Sequence, residues 1–257
     1  MKKILTIAGS DPSAGAGIQA DLKTFLALGV YGLSVTAALT AQNSRGVSHV
    51  YPLPPTILSR QLELLLADGT PDAVKTGILF TGENVEIVSG LMKRHRVKNL
   101  IVDPVLRSSS GRTLLRSAAL ASLKKKLLPL ALIVTPNLPE AEIISGVTIT
   151  SKTDMERAAV KLLALGPSSV LIKGGHGAGS AATDTLYGGK KPLTFSTPRR
   201  RGEFHGTGCV LSSAIAVFIG RGYSVEKAVE KSKAFVDKML KTAKPMGKNK
   251  RVLYFQF

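Results

Sequence analysis

The stretch ILTIAGSDPSAGAGIQADLKTFLALGVYGLSVTAA, residues 4–38, decides the fold class. It opens on an apolar run of strand length, Ile4–Ala8. A polar, Gly-rich loop follows. Gly17–Leu28 then places Ile18, Leu22, Phe25 and Leu26 on one helical face, and Gly29 stops the helix. Leu33–Ala38 is a second apolar strand. The unit is strand, helix, strand, and it repeats outward along the chain.

Pro54–Ala67 reads as a helix with prolines near its start, and Ala73–Lys75 as a short strand. Asn84–Arg94 is a helix and Asn99–Asp103 a strand. Ser117–Leu127 is helical and Ala131–Thr135 extended. Pro139–Ser145 and Asp154–Leu165 are helices, and Ser169–Lys173 is a strand. Asp184–Tyr187 and Leu193–Ser196 form a hairpin around Gly188-Gly189. Two helices close the chain, roughly 208–219 and 225–241. In the second, Val225, Ala228, Val229, Phe235, Val236, Met239 and Leu240 share one face, with Ser224 as N-cap. The rhythm predicts an α/β fold with a mainly parallel sheet and helices on both faces. Neither a repeat nor a low-complexity linker divides the chain, so one domain is expected, with a small lid near residues 44–52.

Composition supports a packed core. The chain has 257 residues, 44% of them hydrophobic, which excludes wholesale disorder. Cys209 is the single cysteine, so no disulfide framework exists within the chain, and a reducing, cytoplasmic setting is the simple reading. The run after Lys2 and Lys3 is too short for a signal peptide. Residues 24–44 carry no charge, but Gly29, Gly32, Gln42 and Asn43 interrupt them, so no membrane span is expected. A net charge of +18 raises nucleic acid, an anionic membrane or an anionic small substrate as partners. The basic residues are dispersed, the tightest groups being Lys124–Lys126, Arg199–Arg201 and Lys248, Lys250, Arg251. A solvated basic surface is the better reading.

In parallel α/β sheets, ligands bind beyond the carboxyl ends of the strands. After the first strand comes Gly9–Gly17, leading into a helix whose N-terminus favours anions; a plain turn is an equal reading. Asp21 lies one turn into that helix, where it reaches a polar ligand or complements the helix dipole. Gln42 carries the donor and acceptor needed to read a heterocycle edge. Asp103 ends a strand, where a carboxylate can hold Mg²⁺. Asn137 and Glu140 either face one hydrated Mg²⁺ or form an ordinary cap. Lys173 can neutralise a phosphate, and the neighbouring His176 reads as structural. The strongest local signal is His205-Gly206-Thr207-Gly208-Cys209, where two glycines precede a long apolar helix. Successive amides there can converge on one anion. The helix dipole is expected to lower the Cys209 thiol pKa, making it a base for a substrate hydroxyl or a donor to the transferring group. Alternatively Cys209 is only a small packing residue.

Together, the stretches TIAGSDPSAGAGIQADLKTF (6–25), ALTAQNSRGV (38–47), AVKTGIL (73–79), VDPVL with SGRTLL (102–115), TPNLPEAE (135–142), VLIKGGH (170–176) and HGTGCVLSSAIA (205–216) resemble the hydroxymethylpyrimidine/phosphomethylpyrimidine kinases of thiamine biosynthesis. That family is ribokinase-like. The resemblance implies a central, mostly parallel sheet flanked by helices, one domain over residues 1–257, and a cytoplasmic homodimer. It implies two MgATP-dependent phosphorylations, of 4-amino-5-hydroxymethyl-2-methylpyrimidine and then of its monophosphate. By motif match, Gly9, Asp21, Gln42, Ile78 and Val105 would bind the pyrimidine. Asp103, Asn137 and Glu140 would organise ATP and Mg²⁺, with Asp103 and Glu140 on the metal. Lys173 would contact phosphate, and Gly206, Thr207, Gly208 and Cys209 would form the anion hole. Ala14, Thr40, Ile78, Leu106, Val210 and the run Arg199–Phe204 depart from the usual family residues.

Two alternatives stand beside this reading. One is a pyridoxal kinase of B6 salvage on the same scaffold. Some of those enzymes carry a lid cysteine that Arg107–Gly111 lacks. The other is a basic nucleic-acid-binding regulator on a retired kinase fold, which the retained Lys173, Asn137, Glu140 and Gly-Thr-Gly-Cys turn argue against. The favoured expectation has no nucleic-acid or membrane partner, and the Arg199–Arg201 cluster steers ATP.

Overall fold

Along each central strand, alternate side chains enter two different cores, so the sheet needs cover on both faces. The computed structural model describes residues 1–106, 114–115, 117–175, 179–247 and 250–255. The expected lid stretch 107–111, His176 and Lys248 lie outside them. The order begins β1 (Lys3–Ser10), α1 (Gly17–Ala27), β2 (Tyr31–Asn43), β3 (Gly46–Pro52), α2 (Pro55–Ala67), β4 (Ala73–Thr76) and α3 (Gly82–Arg94). It continues with β5 (Leu100–Val102), α4 (Ser117–Ser122), which runs into a π turn over Leu123–Leu127, then β6 (Ile133–Val134), α5 (Leu138–Ser145), α6 (Lys152–Leu163) and β7 (Val170–Lys173). The remainder is β8 (Ala181–Tyr187), β9 (Leu193–Pro198), β10 (Phe204–His205), α7 (Thr207–Gly220), α8 (Val225–Lys241), β11 (Lys244–Met246) and β12 (Lys250–Val252).

The main sheet runs β3-β2-β1-β4-β5-β6-β7-β8-β9. The strands from β2 to β7 are mutually parallel, and antiparallel strands finish both edges. The expected mostly parallel α/β sheet is what forms. Leu5, Ile7, Val74, Val102, Val134 and Val170 enter one core with α2, α3 and α6, while Ile4, Ala73, Ile101, Ile133 and Leu171 enter the other with α1, α7 and α8. Helix α7 is buried at every residue from Val210 to Gly220. Apolar character all round suits a helix with no solvent face. Strand order reverses at β1, whose neighbours are β2 and β4, and the crevice opens beyond those strand ends.

Three expectations change. Leu26 does not share the buried face of α1; it is 63% exposed. Ala20, Asp21, Thr24 and Phe25 point inward instead, so the helix is rotated by a buried carboxylate that an apolar count cannot see. Residues 46–52, expected within a lid stretch, are the edge strand β3, paired antiparallel to β2 with a register shift at Ala41/Gln42. A second, three-stranded sheet, β10-β12-β11, was not anticipated, because strands of two or three residues carry no readable period. Ser224 caps α8 as expected, accepting from the Lys227 amide at 3.3 Å.

Ala14 takes φ +57°, a left-handed conformation that costs a Cβ-bearing residue about 1–2 kcal/mol. Ala14→Gly removes that strain and adds unfolded-state entropy that offsets part of the gain. It is expected to raise stability by about 0.5–1 kcal/mol, read as a higher urea midpoint at unchanged slope.

Candidate active site

Loop 1 after β1 is organised by one carboxylate. Asp11 accepts from the Ser13 amide at 2.8 Å, the Ser13 hydroxyl at 2.6 Å, the Ala16 amide at 2.8 Å and the Gly15 amide at 3.2 Å. His205 Nε2 donates to it at 2.9 Å from across the crevice. Burial alone would raise the Asp11 carboxyl. The bonds from His205, Ser13, Gln42 and Ala16 outweigh burial and hold it well below the usual carboxylate range. Gly206, at φ +80°, meets this loop so closely that a Cβ would overlap the Gly15 carbonyl. Loop 1 and the start of α7 thus form one surface. The Thr40 hydroxyl adds a tie to the Ser10 carbonyl at 2.9 Å, which accounts for a polar residue there.

Gln42 is half-buried, and its side-chain amide donates to Asp11. Gly9 and Ile78 are neighbours: a Cβ on Gly9 would sit 3.5 Å from the Ile78 Cβ. Gly77, Asp103, Val105 and Leu106 line one small cavity together with the core residues Val85, Leu123 and Leu127. Asp21 departs from expectation. Its carboxylate is 0% exposed and saturated by Lys75, Thr6 and Ser213, so it cannot touch a ligand. It is the counter-ion of a buried lysine beneath the site.

Lys173 Nζ lies 2.8 Å from Asp103 Oδ1 and borders Gly208, where a Cβ would come within 3.3 Å of it. Burial would lower this ammonium, but Asp103 and Glu140 outweigh it and hold it above its ordinary value. Asp103 also accepts from Thr135 Oγ1 at 3.2 Å and Ser212 Oγ at 3.1 Å. Asn137 and Glu140 make a full capping box at the start of α5, with bonds of 2.8 and 2.9 Å, so the cap reading is realised. Burial pushes the Glu140 carboxyl up to about 7; Lys173 opposes that and Asp103 adds to it. Two carboxyl groups, Asp103 and Glu140, thus share one ammonium, Lys173. No group of three His, Cys, Asp or Glu side chains forms a metal cluster among the described residues. Two carboxylates short of a cage fit Mg²⁺ that keeps water and phosphate oxygens as its other ligands.

Cys209 is half-buried, in the first turn of α7. Its thiol does not follow the helix dipole. Burial pushes it up to about 11, with Asp21 and Asp103 adding, while Lys75 and the Gly17 backbone pull it down. Desolvation of the thiolate is the largest of these effects.

The Arg199–Arg201 cluster is also recast. Arg199 donates to the carbonyls of Gly179 at 2.8 Å, Gly175 at 2.5 Å and Ala181 at 3.1 Å, so its guanidinium is committed to backbone. Arg200 pairs with Asp237 at 2.9 Å. Sequence reasoning also passed over Lys75, Asp11 and Asp184. Asp184 accepts from the Gly174 amide at 3.0 Å and pairs with Lys233 at 2.5 Å. A charged residue inside the buried run Ala73–Thr76 was the available signal for Lys75, since an interior ammonium requires a carboxylate.

Removing the Asp11 charge tests the loop. Its folded pKa is depressed, so its stabilisation is present above the unfolded value of about 3.9 and fades as pH falls through the folded one. Asp11→Asn is expected to cost roughly 2 kcal/mol at pH 7. It should flatten the loss of stability below about pH 4, read by urea melts across pH.

The family model for phosphomethylpyrimidine kinase matches residues 11–253. The hydroxymethylpyrimidine/phosphomethylpyrimidine kinase of Aquifex aeolicus is 40% identical over 98% of this chain and 99% of its own. The thiamine biosynthesis bifunctional protein of Geobacter sulfurreducens is 42% identical over 95% of this chain, which spans half of that longer protein. Among solved structures, phosphomethylpyrimidine kinase from Clostridium difficile superposes with a TM-score of 0.83 at 44% identity, covering 93% of this chain and 99% of that one. Pyridoxal kinase from Staphylococcus aureus, in complex with AMP-PCP and pyridoxal, gives 0.89 at 36% identity, covering 98% and 93%. The ribokinase-like fold expected from the motifs therefore stands, and the chain belongs to the phosphomethylpyrimidine kinase family.

Proposed function

We propose that this chain transfers the γ-phosphoryl group of ATP to 4-amino-5-hydroxymethyl-2-methylpyrimidine, and then a second one to the resulting monophosphate. The observation that carries this is that the Lys173 ammonium, paired with Asp103 at the end of β5, borders the Gly206–Cys209 turn at Gly208. The family match and the higher identity to phosphomethylpyrimidine kinases than to pyridoxal kinase support the choice of substrate.

The pyrimidine would lie on Gly9 between Ile78 and Val105. Gln42, held by Asp11, would accept from its amino group. Its hydroxyl oxygen attacks the γ-phosphorus, the bond to the bridging oxygen of ADP breaks, and the hydroxyl proton leaves to solvent or phosphate. In the second round a phosphate oxygen is the nucleophile. The amides of Gly206–Cys209 and the Lys173 ammonium would take up the charge that builds on the moving group. Asp103 and Glu140, beside Asn137, would hold Mg²⁺, which when bound neutralises the phosphate oxygens. Such a cation would also keep Glu140 ionised at neutral pH.

With its thiol near 11, Cys209 holds little thiolate at pH 7. We assign it to orienting the attacking hydroxyl. Positioning and charge neutralisation dominate a loose phosphoryl transfer. Cys209→Ser is therefore expected to keep kcat within about tenfold, whereas Lys173→Ala loses roughly 10²–10³. A loss of 10²–10⁴ in the serine variant would restore the general-base role.

A second reading, pyridoxal phosphorylation, is favoured by the TM-score of 0.89 to pyridoxal kinase. A coupled assay with MgATP and, separately, the pyrimidine, its monophosphate and pyridoxal decides, with products weighed by mass spectrometry. Two phosphates added to the pyrimidine are expected. Turnover of pyridoxal alone would move the assignment. A single catalytic domain, a homodimer and a cytoplasmic setting belong to the same proposal. No helix among the described residues is long and apolar enough to cross a membrane.

A further inference from the structure

Two buried chains of the same chemistry run from strand ends to consecutive residues of α7. In one, Lys173 pairs with Asp103, and Ser212 Oγ donates to Asp103 Oδ2 at 3.1 Å. In the other, Lys75 Nζ lies 3.0 and 2.8 Å from the two Asp21 oxygens, and Ser213 Oγ donates to Asp21 Oδ1 at 2.6 Å. Thr6 Oγ1 completes that carboxylate at 2.5 Å. The first chain borders the cleft. The second is sealed: Lys75, Asp21 and Ser213 are all 0% exposed.

A sealed ion pair is a weak source of stability, because desolvating both charges offsets their attraction. Its geometry suggests another use. Lys75 stands two residues before Gly77, and Ser213 stands one helical turn after Cys209. Asp21 thereby ties the cleft end of β4 to the first turns of the helix that carries the Gly206–Cys209 amides. The two serines are not equivalent anchors. Ser212 Oγ is shared among Asp103 and the carbonyls of Gly208 and Cys209, at 3.1, 3.1 and 3.0 Å. Ser213 has its short bond to Asp21.

We propose that the Lys75–Asp21–Ser213 chain sets the position of α7 against the sheet, with Ser213 a positioning residue for phosphoryl transfer. Losing that bond lets the start of α7 shift, and the amides no longer converge where charge builds. This rests on the assignment of Gly206–Cys209 as the anion hole.

The test compares Ser213→Ala with Ser213→Thr, by steady-state kinetics on the pyrimidine and MgATP and by thermal melts. Ser213→Ala is expected to lose roughly ten- to a hundredfold in kcat with both KM values close to wild type, and to lower the melting temperature modestly because a buried Asp21 oxygen loses its donor. Ser213→Thr keeps the hydroxyl and most of kcat, while its extra methyl in a filled site lowers the melting temperature. Both variants then melt lower, but only the one without the hydroxyl loses kcat. If kcat instead tracks the melting temperature across the two variants, or Ser213→Ala turns over like wild type, the proposal is overturned. Should the threonine variant not fold, Ser213→Ala alone decides, since a lower kcat in fully folded protein at unchanged KM is not a stability effect. Gly206→Ala separates the underlying assignment: full turnover there removes the anion hole itself, whatever Ser213 does.

Discussion

Two ammonium groups stand at the carboxyl ends of buried strands, and neither can remain there without a carboxylate. Lys75 takes Asp21 from α1, and Lys173 takes Asp103 from the turn after β5. Each carboxylate then has lone pairs left over, and a serine of α7 fills one in each case. Both serines thereby tie α7 to buried ions as well as to the apolar core that surrounds it.

The same economy appears in Glu140. It closes the capping box of α5 and, beside Asp103, supplies the negative charge that a cation would meet. Asp11 likewise folds its own loop, holds Gln42 and receives His205. In each case a residue that shapes the backbone also borders the reacting space, so neither role can be changed alone.

Periodicity made the interior readable. Ile4–Ala8, Ser169–Lys173 and the last helix with its Ser224 cap all sit where the apolar pattern puts them. Strand β3 did not show, because none of its residues is buried and they form no apolar run. Leu26 misled for the opposite reason: it completes an apolar face in the sequence, yet the buried face is the one that carries Ala20, Asp21, Thr24 and Phe25. The polar residues at strand ends, Asp103, Lys173 and the Gly206–Cys209 turn, were visible because parallel sheets put ligands there. Asp11 looked like a turn residue in a Gly-rich loop, since its partner His205 is remote in sequence. The thiol of Cys209 was misjudged because a dipole can be read from a helix start, whereas desolvation depends on what the rest of the chain packs around it.

The bond between Asp11 and His205 joins residues 194 positions apart. A contact of that span closes late, after the loop entropy between its ends has been met by other structure. Residues 11–16 leave the ribosome long before His205, so their shape is completed only when that later segment arrives. The β1–α1–β2 unit can assemble early on local contacts, while the cleft beside it stays open. A nascent chain would thus hold most of its sheet before it holds any binding surface, and truncated products would fold in part yet stay blind to substrate.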